Sequence, residues 1–410
     1  MTPPPPILLT EGAAARLMPL DVHEYEVLRR LAIVDVTPTL ETGVFEVSAG
    51  RKIGAVAVGE RQVIVRPKIS DLNRLVFLLG YSLHRDFWRD DRVHLAEADE
   101  LLPALAEAFG RLASRATEQG LIQGYRTISD DLPVLRGRLL AGEQMTRNYG
   151  LPVPLAVEYD EFTVDIAENQ ILLAAVLRLL TVPRLPQEVR RRLRRLRRVM
   201  VDVTPARAGT PLPAWRPTRL NTRYHDAIRL AEVVLAAQSF EHHAGELRVT
   251  GFMFDMWRIF EDFVCTSLGE ALERGDGGRY ATQYSLHLDV ARAVRMRPDL
   301  VWTGTTGVVR AVVDAKYKAE RPEGFPDADL YQMLAYCTVL GLSDGHLVYA
   351  KGNEAIRTHV VEASGVTLHC HTLDLGLAPS ELLEQVNSLA KSVVAAAPYR
   401  RISAGVDSAH

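Results

Sequence analysis

The sequence predicts a multidomain protein of mixed α+β and α/β class: a β-rich N-terminal domain with helices, then a helical lead and a C-terminal α/β core. Three observations carry this. Its 410 residues exceed what one ordinary core organises, so two or more domains are expected. Between residues 43 and 65, short apolar or alternating runs are separated by Ala49-Gly50 and Gly59-Glu60, the pattern of a β-meander or small barrel. After Val249 the order becomes helix, antiparallel strands, helix, strand, which suits an α/β core and not a doubly wound sheet.

Taken in order, Pro3 to Pro6 read as a flexible lead and Ile7 to Leu9 as a short strand. Residues 21–30 (DVHEYEVLRR) have helical spacing behind Asp21, whose carboxylate suits an N-cap. Strands are expected from Gly43 to Ala49, Ile53 to Val58 and Gln62 to Val65, the last ended by Pro67. Asp71 is placed to cap a helix from Leu72 to Tyr81, and a longer helix fits Glu97 to Gln119. Residues 121–158 read as extended chain leading to a boundary near Pro152-Val153-Pro154. Asp165 to Leu180 is amphipathic, and Pro186 suits the start of another helix. A Pro-rich loop over 204–217 precedes a helix from Asn221 to Gln238. The last third predicts a helix from Phe252 to Glu273 and strands from Ser285 to Val290, Leu300 to Thr303 and Val308 to Asp314. A helix from Asp327 to Leu340 and strands from His346 to Tyr349 and Ile356 to Val361 complete it, with no internal repeat.

The formal net charge of -3 provides no global basic field, so any surface for nucleic acid has to be local. Cys265, Cys337 and Cys370 are far apart and show no Cys-x-x-Cys spacing, which predicts free buried thiols in place of a disulfide framework or zinc ribbon. The start, MTPPPPILLTEG, lacks the basic and apolar regions of a signal peptide. No run of about 18 apolar residues suggests a transmembrane helix. A cytoplasmic protein without a membrane partner is expected.

Four features fall in the order required by a metal-dependent nuclease. Glu261 sits on an apolar helix within WRIFEDFV; Pro298-Asp299 begins a strand; Asp314-Ala315-Lys316 ends the next; and Gln332 and Tyr336 lie four apart on one helix face. Phosphodiester hydrolysis needs an activated water and neutralisation of the charge that grows on phosphorus. Carboxylates such as Asp299, Asp314 and Glu261 can hold Mg²⁺, or Mn²⁺, with part of its hydration shell. In Asp-x-Lys on a strand both side chains share a face, so Lys316 is delivered to the site that Asp314 helps form. There it orients the attacking water or offsets phosphate charge. Each feature alone also fits an ordinary strand end or packing pair; their joint order is what points to chemistry.

Together these residues resemble the PD-(D/E)xK nuclease superfamily, and the chain more widely resembles the McrC-like nuclease subunits of McrBC-type modification-dependent restriction systems. The wider resemblance rests on residues 64–69 (IVRPKI), Leu135-Arg136-Gly137-Arg138, residues 159–166 (YDEFTVDI) with Glu168-Asn169, Leu220 to Tyr224, and Asp314 to Lys318. It implies a restriction-endonuclease-like core and a division into a partner-binding domain over 1–157 and a helical lead and nuclease domain over 158–396 with its core at about 249–362; the residues over 397–410 themselves read as a disordered tail. It also implies a hexameric McrB-like AAA+ GTPase partner, whose activity the N-terminal domain stimulates, and double-stranded, modified DNA as substrate. GTP would be bound by that partner, consistent with the absence of a Gly-x-x-x-x-Gly-Lys-[Ser/Thr] loop here.

Two surfaces add to the site. Residues 190–198 (RRRLRRLRR) offer Arg190, Arg191, Arg194, Arg195 and Arg198 for phosphate contact, although a solvated helix whose arginine stems cover an apolar seam fits equally. Arg66 and Lys68 flank Pro67 and could touch the partner ring or be surface charge. His369-Cys370-His371 lacks a second ligand pair, which favours structural histidines. The rival functions are a non-catalytic activator of an AAA+ ring and a stand-alone RecB-like repair nuclease.

Overall fold

The computed structural model describes residues 4–68, 72–81, 101–149, 151–183, 185–206, 210–244, 247–317, 327–350 and 357–396. Two compact units are interleaved along the chain. One comprises residues 1–8, 54–64 and 93–253; the other comprises 9–53, 65–92 and 254–410. Sheet pairing is the reason: Lys52–Val58 and Leu247–Asp255 are neighbours in one five-stranded sheet, whose order is Ile7–Thr10, Arg61–Arg66, Lys52–Val58, Leu247–Asp255, Gln238–Ala244.

The second unit contains a six-stranded sheet ordered Arg279–Thr282, Leu300–Thr303, Val309–Lys316, Asp344–Ala350, Thr367–Leu373, Arg357–Val360. Leu300–Thr303 and Val309–Lys316 are antiparallel, while Val309–Lys316, Asp344–Ala350 and Thr367–Leu373 run parallel. The sheet is therefore mixed, with the antiparallel strands followed across a helix by parallel ones. The helix Asp327–Leu340 forms the crossover between the first parallel pair. It buries Met333, Tyr336 and Cys337 against Val301, Val312, Leu347, Leu368 and Cys370, alternate residues of their strands. The helices Met256–Asp276 and Pro379–Ala396 pack on each other, and each also packs on the sheet. Phe263 of the first meets the rings of Phe77 and Tyr81 from the helix Leu72–Tyr81. The same unit holds a three-stranded sheet, Arg16–Pro19, Val44–Ser48 and Asp35–Pro38, and the helix Val22–Arg30. Asp21 caps that helix as the sequence predicts, accepting from the Glu24 N–H at 2.7 Å while Glu24 accepts from the Asp21 N–H at 3.1 Å.

In the first unit a bundle of Leu101–Thr117, Ala167–Leu180, Gln187–Val199 and His225–Ala236 packs its apolar faces together. Val189, Leu193 and Leu196 anchor the arginine-rich helix. The stretch expected as extended chain is a sheet: Gly124–Leu132 and Arg138–Leu139 both pair antiparallel with Leu155–Thr163. Gly137 turns the chain at φ 71°, and a Cβ there would lie 2.2 Å from the Glu158 carbonyl oxygen, so a side chain is excluded.

Three element boundaries differ from expectation. Residues 252–255 end the strand Leu247–Asp255, and the helix begins at Met256; the strand enters the helix without a breaker, so periodicity alone could not divide them. Asn221 precedes a 3-10 turn, Thr222–Tyr224, and the following helix stops at Ala236, leaving Gln238 in a strand. The strand expected from Ser285 to Val290 shrinks to Leu286–His287. The helix Pro379–Ala396 lies outside the expected elements, although Leu382, Val386, Leu389 and Val393 recur at helical spacing and are buried. Asp71, Glu97, Lys318, Ile356 and the tail over 397–410 lie outside the described residues. No helix of the described residues is long and apolar enough to cross a membrane.

Candidate active site

Sheet register explains why residues distant in sequence meet. Leu300 pairs with Val313 across the antiparallel strands, which sets Asp299 beside the end of the strand that carries Asp314 and Lys316. Asp299 is 8% exposed and Asp314 2%, and Glu261, at 5%, joins them from the helix Met256–Asp276. The backbone holds part of this arrangement, because Ala315 N–H donates to Asp299 Oδ2 at 2.8 Å. Lys316 Nζ forms a close ion pair with Asp314 Oδ2 and donates to Gln332 Oε1 at 3.0 Å. Gln332 Nε2 in turn donates to the Tyr336 hydroxyl at 2.6 Å. All six residues singled out by the sequence thus belong to one contiguous network.

Electrostatics follow from crowding three acids in a buried place. Burial, together with the charges of Asp314 and Glu261, raises the Asp299 carboxyl from its ordinary 3.8 to about 8. Glu261 is likewise raised, by burial first and then by neighbouring carboxylates. Burial also lifts Asp314, against the opposing pull of Lys316. For Lys316, burial works against the charged form, but Asp314, Asp329 and Asp299 outweigh it and hold the ammonium above the usual lysine range. The Tyr336 hydroxyl is pushed up to about 12 by burial and by Asp314, and so remains protonated at neutral pH.

The structure adds residues that sequence reasoning missed. Gln283 Nε2 makes a close hydrogen bond to Glu261 Oε1 and donates to Asp299 Oδ1 at 3.3 Å. Asp329 is 4% exposed and accepts from the Tyr349 hydroxyl at 3.2 Å. Asp329 was accessible from the sequence, since it lies three residues before Gln332 and seven before Tyr336 on one helical face. Just after Lys316, the Tyr317 hydroxyl donates to Glu11 Oε2 at 3.0 Å, and its ring lies 5.7 Å from that of Phe260.

The donor set suits a hard, partly hydrated cation. Glu261 Oε2 is buried and has no hydrogen-bond partner among the described residues. Asp299 and Asp314 are among the acids that act on Glu261, and carboxylate oxygens are the ligands preferred by Mg²⁺ or Mn²⁺. Among the described residues no group of three or more His, Cys, Asp or Glu side chains is arranged to hold a metal ion as it stands. Asp314 is paired to Lys316, and Glu261 and Asp299 are bridged by Gln283.

Other expected features separate from this network. His346, His369 and His371 stack with ring centroids 5.0–6.0 Å apart, and His369 Nε2 lies 2.9 Å from Asp344 Oδ1. Their contacts are thus with one another and with Asp344. Cys265, Cys337 and Cys370 are free and buried. On the arginine-rich helix, Arg191, Arg194, Arg195, Arg197 and Arg198 are exposed, whereas Arg190 donates to the Val182 carbonyl at 3.3 Å. Arg66 and Lys68 have exposed side chains.

Comparison with known proteins gives a consistent family. The model of the family described as "McrBC 5-methylcytosine restriction system component" matches residues 47–350. A Thermococcus gammatolerans structure described as McrB AAA+ hexamers with bound McrC aligns with TM-score 0.57 and 15% identity, covering 95% of this chain and 100% of that one. The Thermococcus gammatolerans McrBC complex aligns less closely, with TM-score 0.35 and 17% identity over 65% of this chain and 88% of that one. No curated protein matches.

Proposed function

The chain belongs to the McrBC 5-methylcytosine restriction system component family, and from that premise we propose that it is the nuclease subunit of a GTP-driven, modification-dependent restriction complex. The observation that carries this is the buried trio Glu261, Asp299 and Asp314 in one network with Lys316, Gln332 and Tyr336. A purely structural core has no use for three mutually repelling acids, and their cost is explained if a cation joins them. On this reading the six-stranded sheet and its helices are a PD-(D/E)xK core.

Asp299, Asp314 and Glu261 would hold Mg²⁺ or Mn²⁺. When bound, the ion supplies a water of lowered pKa and a clamp on the scissile phosphate. The remaining work belongs to side chains. Lys316 stays charged at neutral pH, so it acts as a donor and cation toward water or phosphate and not as the proton acceptor. Gln332 accepts from Lys316 and leans on Tyr336, which fixes the direction of the ammonium. The exposed arginines of Gln187–Val199 would supply a local basic surface on a chain of near-neutral net charge.

The partner is proposed to be an McrB-like AAA+ GTPase hexamer, which binds the GTP, and the substrate double-stranded modified DNA. Exposed apolar side chains close in sequence support the partner: Val134, Leu135, Met145, Tyr149, Leu151 and Val153 are each more than half exposed. They fall within residues 1–157, for which the resemblance implies partner binding. Arg66 and Lys68 are further contacts in this reading.

The test assembles Asp314→Ala in the full chain with its AAA+ partner and Mg²⁺. DNA cutting should be lost while partner GTP hydrolysis persists; wild-type cutting by a folded variant overturns the site. A non-catalytic activator remains the second reading because of those exposed apolar side chains. Val134→Asp with Leu135→Asp should then remove GTPase stimulation.

A further inference from the structure

We infer that Gln283 is a positioning residue of the carboxylate site: its amide bridges Glu261 and Asp299 and leaves Glu261 Oε2 as the open ligand for a divalent cation. The inference rests on the metal-dependent reading above and deepens it.

Gln283 follows the strand Arg279–Thr282, which pairs with Leu300–Thr303. The pairing extends past the strand ends, since Gln283 N–H donates to the Asp299 carbonyl at 2.9 Å and Tyr284 N–H to that of Pro298 at 3.1 Å. The backbone of Gln283 is therefore fixed against the Pro298-Asp299 segment. Its φ is 52°, in the left-handed region where glycine is the natural occupant. A β-carbon and a long polar side chain are nonetheless present, and the side chain reaches both acids. Strained backbone at a position whose side chain spans two buried carboxylates points to a requirement for that side chain.

The amide also has suitable chemistry. A lysine or arginine here would neutralise the acids and compete with a cation. An amide donates hydrogen bonds, relieves part of the repulsion and adds no charge. With Gln283 in place, Asp299 has Oδ1 facing the amide and Oδ2 facing the Ala315 N–H. Glu261 has Oε1 held and Oε2 buried without a partner among the described residues. One side chain thereby sets the orientation of two ligands from separate elements, as outer-shell partners of metal ligands do.

The experiment is Mn²⁺ titration of the full chain, by calorimetry and by electron paramagnetic resonance, for wild type, Gln283→Gly, Gln283→Met and Glu261→Gln with and without Gln283→Gly. Glycine suits the left-handed backbone, so a residue needed only for the turn would give unchanged affinity with equal or higher thermal stability. Positioning instead predicts a folded Gln283→Gly protein whose Mn²⁺ affinity drops about tenfold or more. Gln283→Met, similar in length but without the amide, should lose the same affinity. Removing Gln283 from Glu261→Gln should cost less than removing it from wild type, because half of the bridge is already altered. Wild-type affinity in folded Gln283→Gly and Gln283→Met overturns the inference alone. Absence of Mn²⁺ binding by wild type overturns both it and the metal-dependent reading.

Discussion

Replacing Asp299 by Asn is expected to stabilise the metal-free protein while abolishing cutting. In the folded chain this carboxyl is raised from 3.8 to about 8, first by burial and then by the charges of Asp314 and Glu261. The folded state therefore keeps a proton that the unfolded chain releases once pH exceeds roughly 4. A favourable contribution exists below the unfolded value and is lost as pH rises through about 8. At pH 7 the unfolded carboxyl is some three pH units past its midpoint, which at about 1.4 kcal/mol per unit costs the fold roughly 4 kcal/mol. Asn removes the ionisable group and keeps one oxygen for the Ala315 N–H, while its NH₂ takes the Oδ1 position facing the Gln283 amide, a donor against a donor that offsets part of the gain. Allowing for relaxation of the site, the expected gain is about 1–3 kcal/mol at pH 7. Urea denaturation in EDTA at pH 7 and pH 4.5 measures it. The advantage of the variant should shrink at the lower pH, and Mg²⁺ should stabilise wild type more than Asp299→Asn. A variant no more stable than wild type at pH 7, or an advantage independent of pH, would refute the reasoning.

Opposite pH behaviour is expected of the histidine cluster. Burial, then the neighbouring imidazoles, lower His346, and burial with His369 lowers His371 to about 4. Stability from His371 is complete above roughly pH 6.5 and lost as pH falls through about 4, up to about 3 kcal/mol, so His371→Asn should flatten the acid limb of the denaturation profile. Gly345→Ala would place a Cβ 2.5 Å from Cys337 Sγ and 2.7 Å from Met333 Cγ. Overpacking there should cost about 1–3 kcal/mol, read as a lowered melting temperature. Changing Arg191, Arg194, Arg195 and Arg198 together to Gln should weaken DNA binding and reduce the slope of log K against log salt by roughly 0.9 for each phosphate that is no longer neutralised. An unchanged slope would leave that helix as solvated surface.

How much was legible in the sequence depended on whether the signal was local. Asp314 and Lys316 could be paired on paper because strand period two puts them on one face, and Gln332 and Tyr336 because a helix turn does the same. Both pairs sit in the observed network. The capping box at Asp21 is equally local and forms as expected. Gln283 could not be found this way. It meets acids 22 and 16 residues distant through strand pairing beyond the strand ends. Pairing across sequence likewise determines the interleaving of the two compact units, since residues near 55 and near 250 lie in one sheet. The sequence pattern shows that each segment is strand-like but does not specify which strand lies next to it.

The chemistry of the site and the sequence rules it breaks have one physical origin. Glu261 would pack more favourably as an apolar residue, Asp299 as an amide, and Gln283 as glycine, if the fold alone were being optimised. Instead a carboxylate oxygen without a hydrogen-bond partner among the described residues, a carboxyl raised to about 8 and a left-handed glutamine are found within one connected group. Their coincidence matters more than any one of them, because independent defects have no reason to share neighbours. A divalent cation would remove all the electrostatic part at once: it lowers the carboxyl pKa values, satisfies Glu261 Oε2 and turns repulsion among the acids into shared ligation. Lys316 would remain charged beside it, still directed by Gln332 and Tyr336. The unfavourable terms of the metal-free site are thus those that ion binding would relieve, which is why the acids, and not the lysine, are the groups whose neutralisation should stabilise the fold.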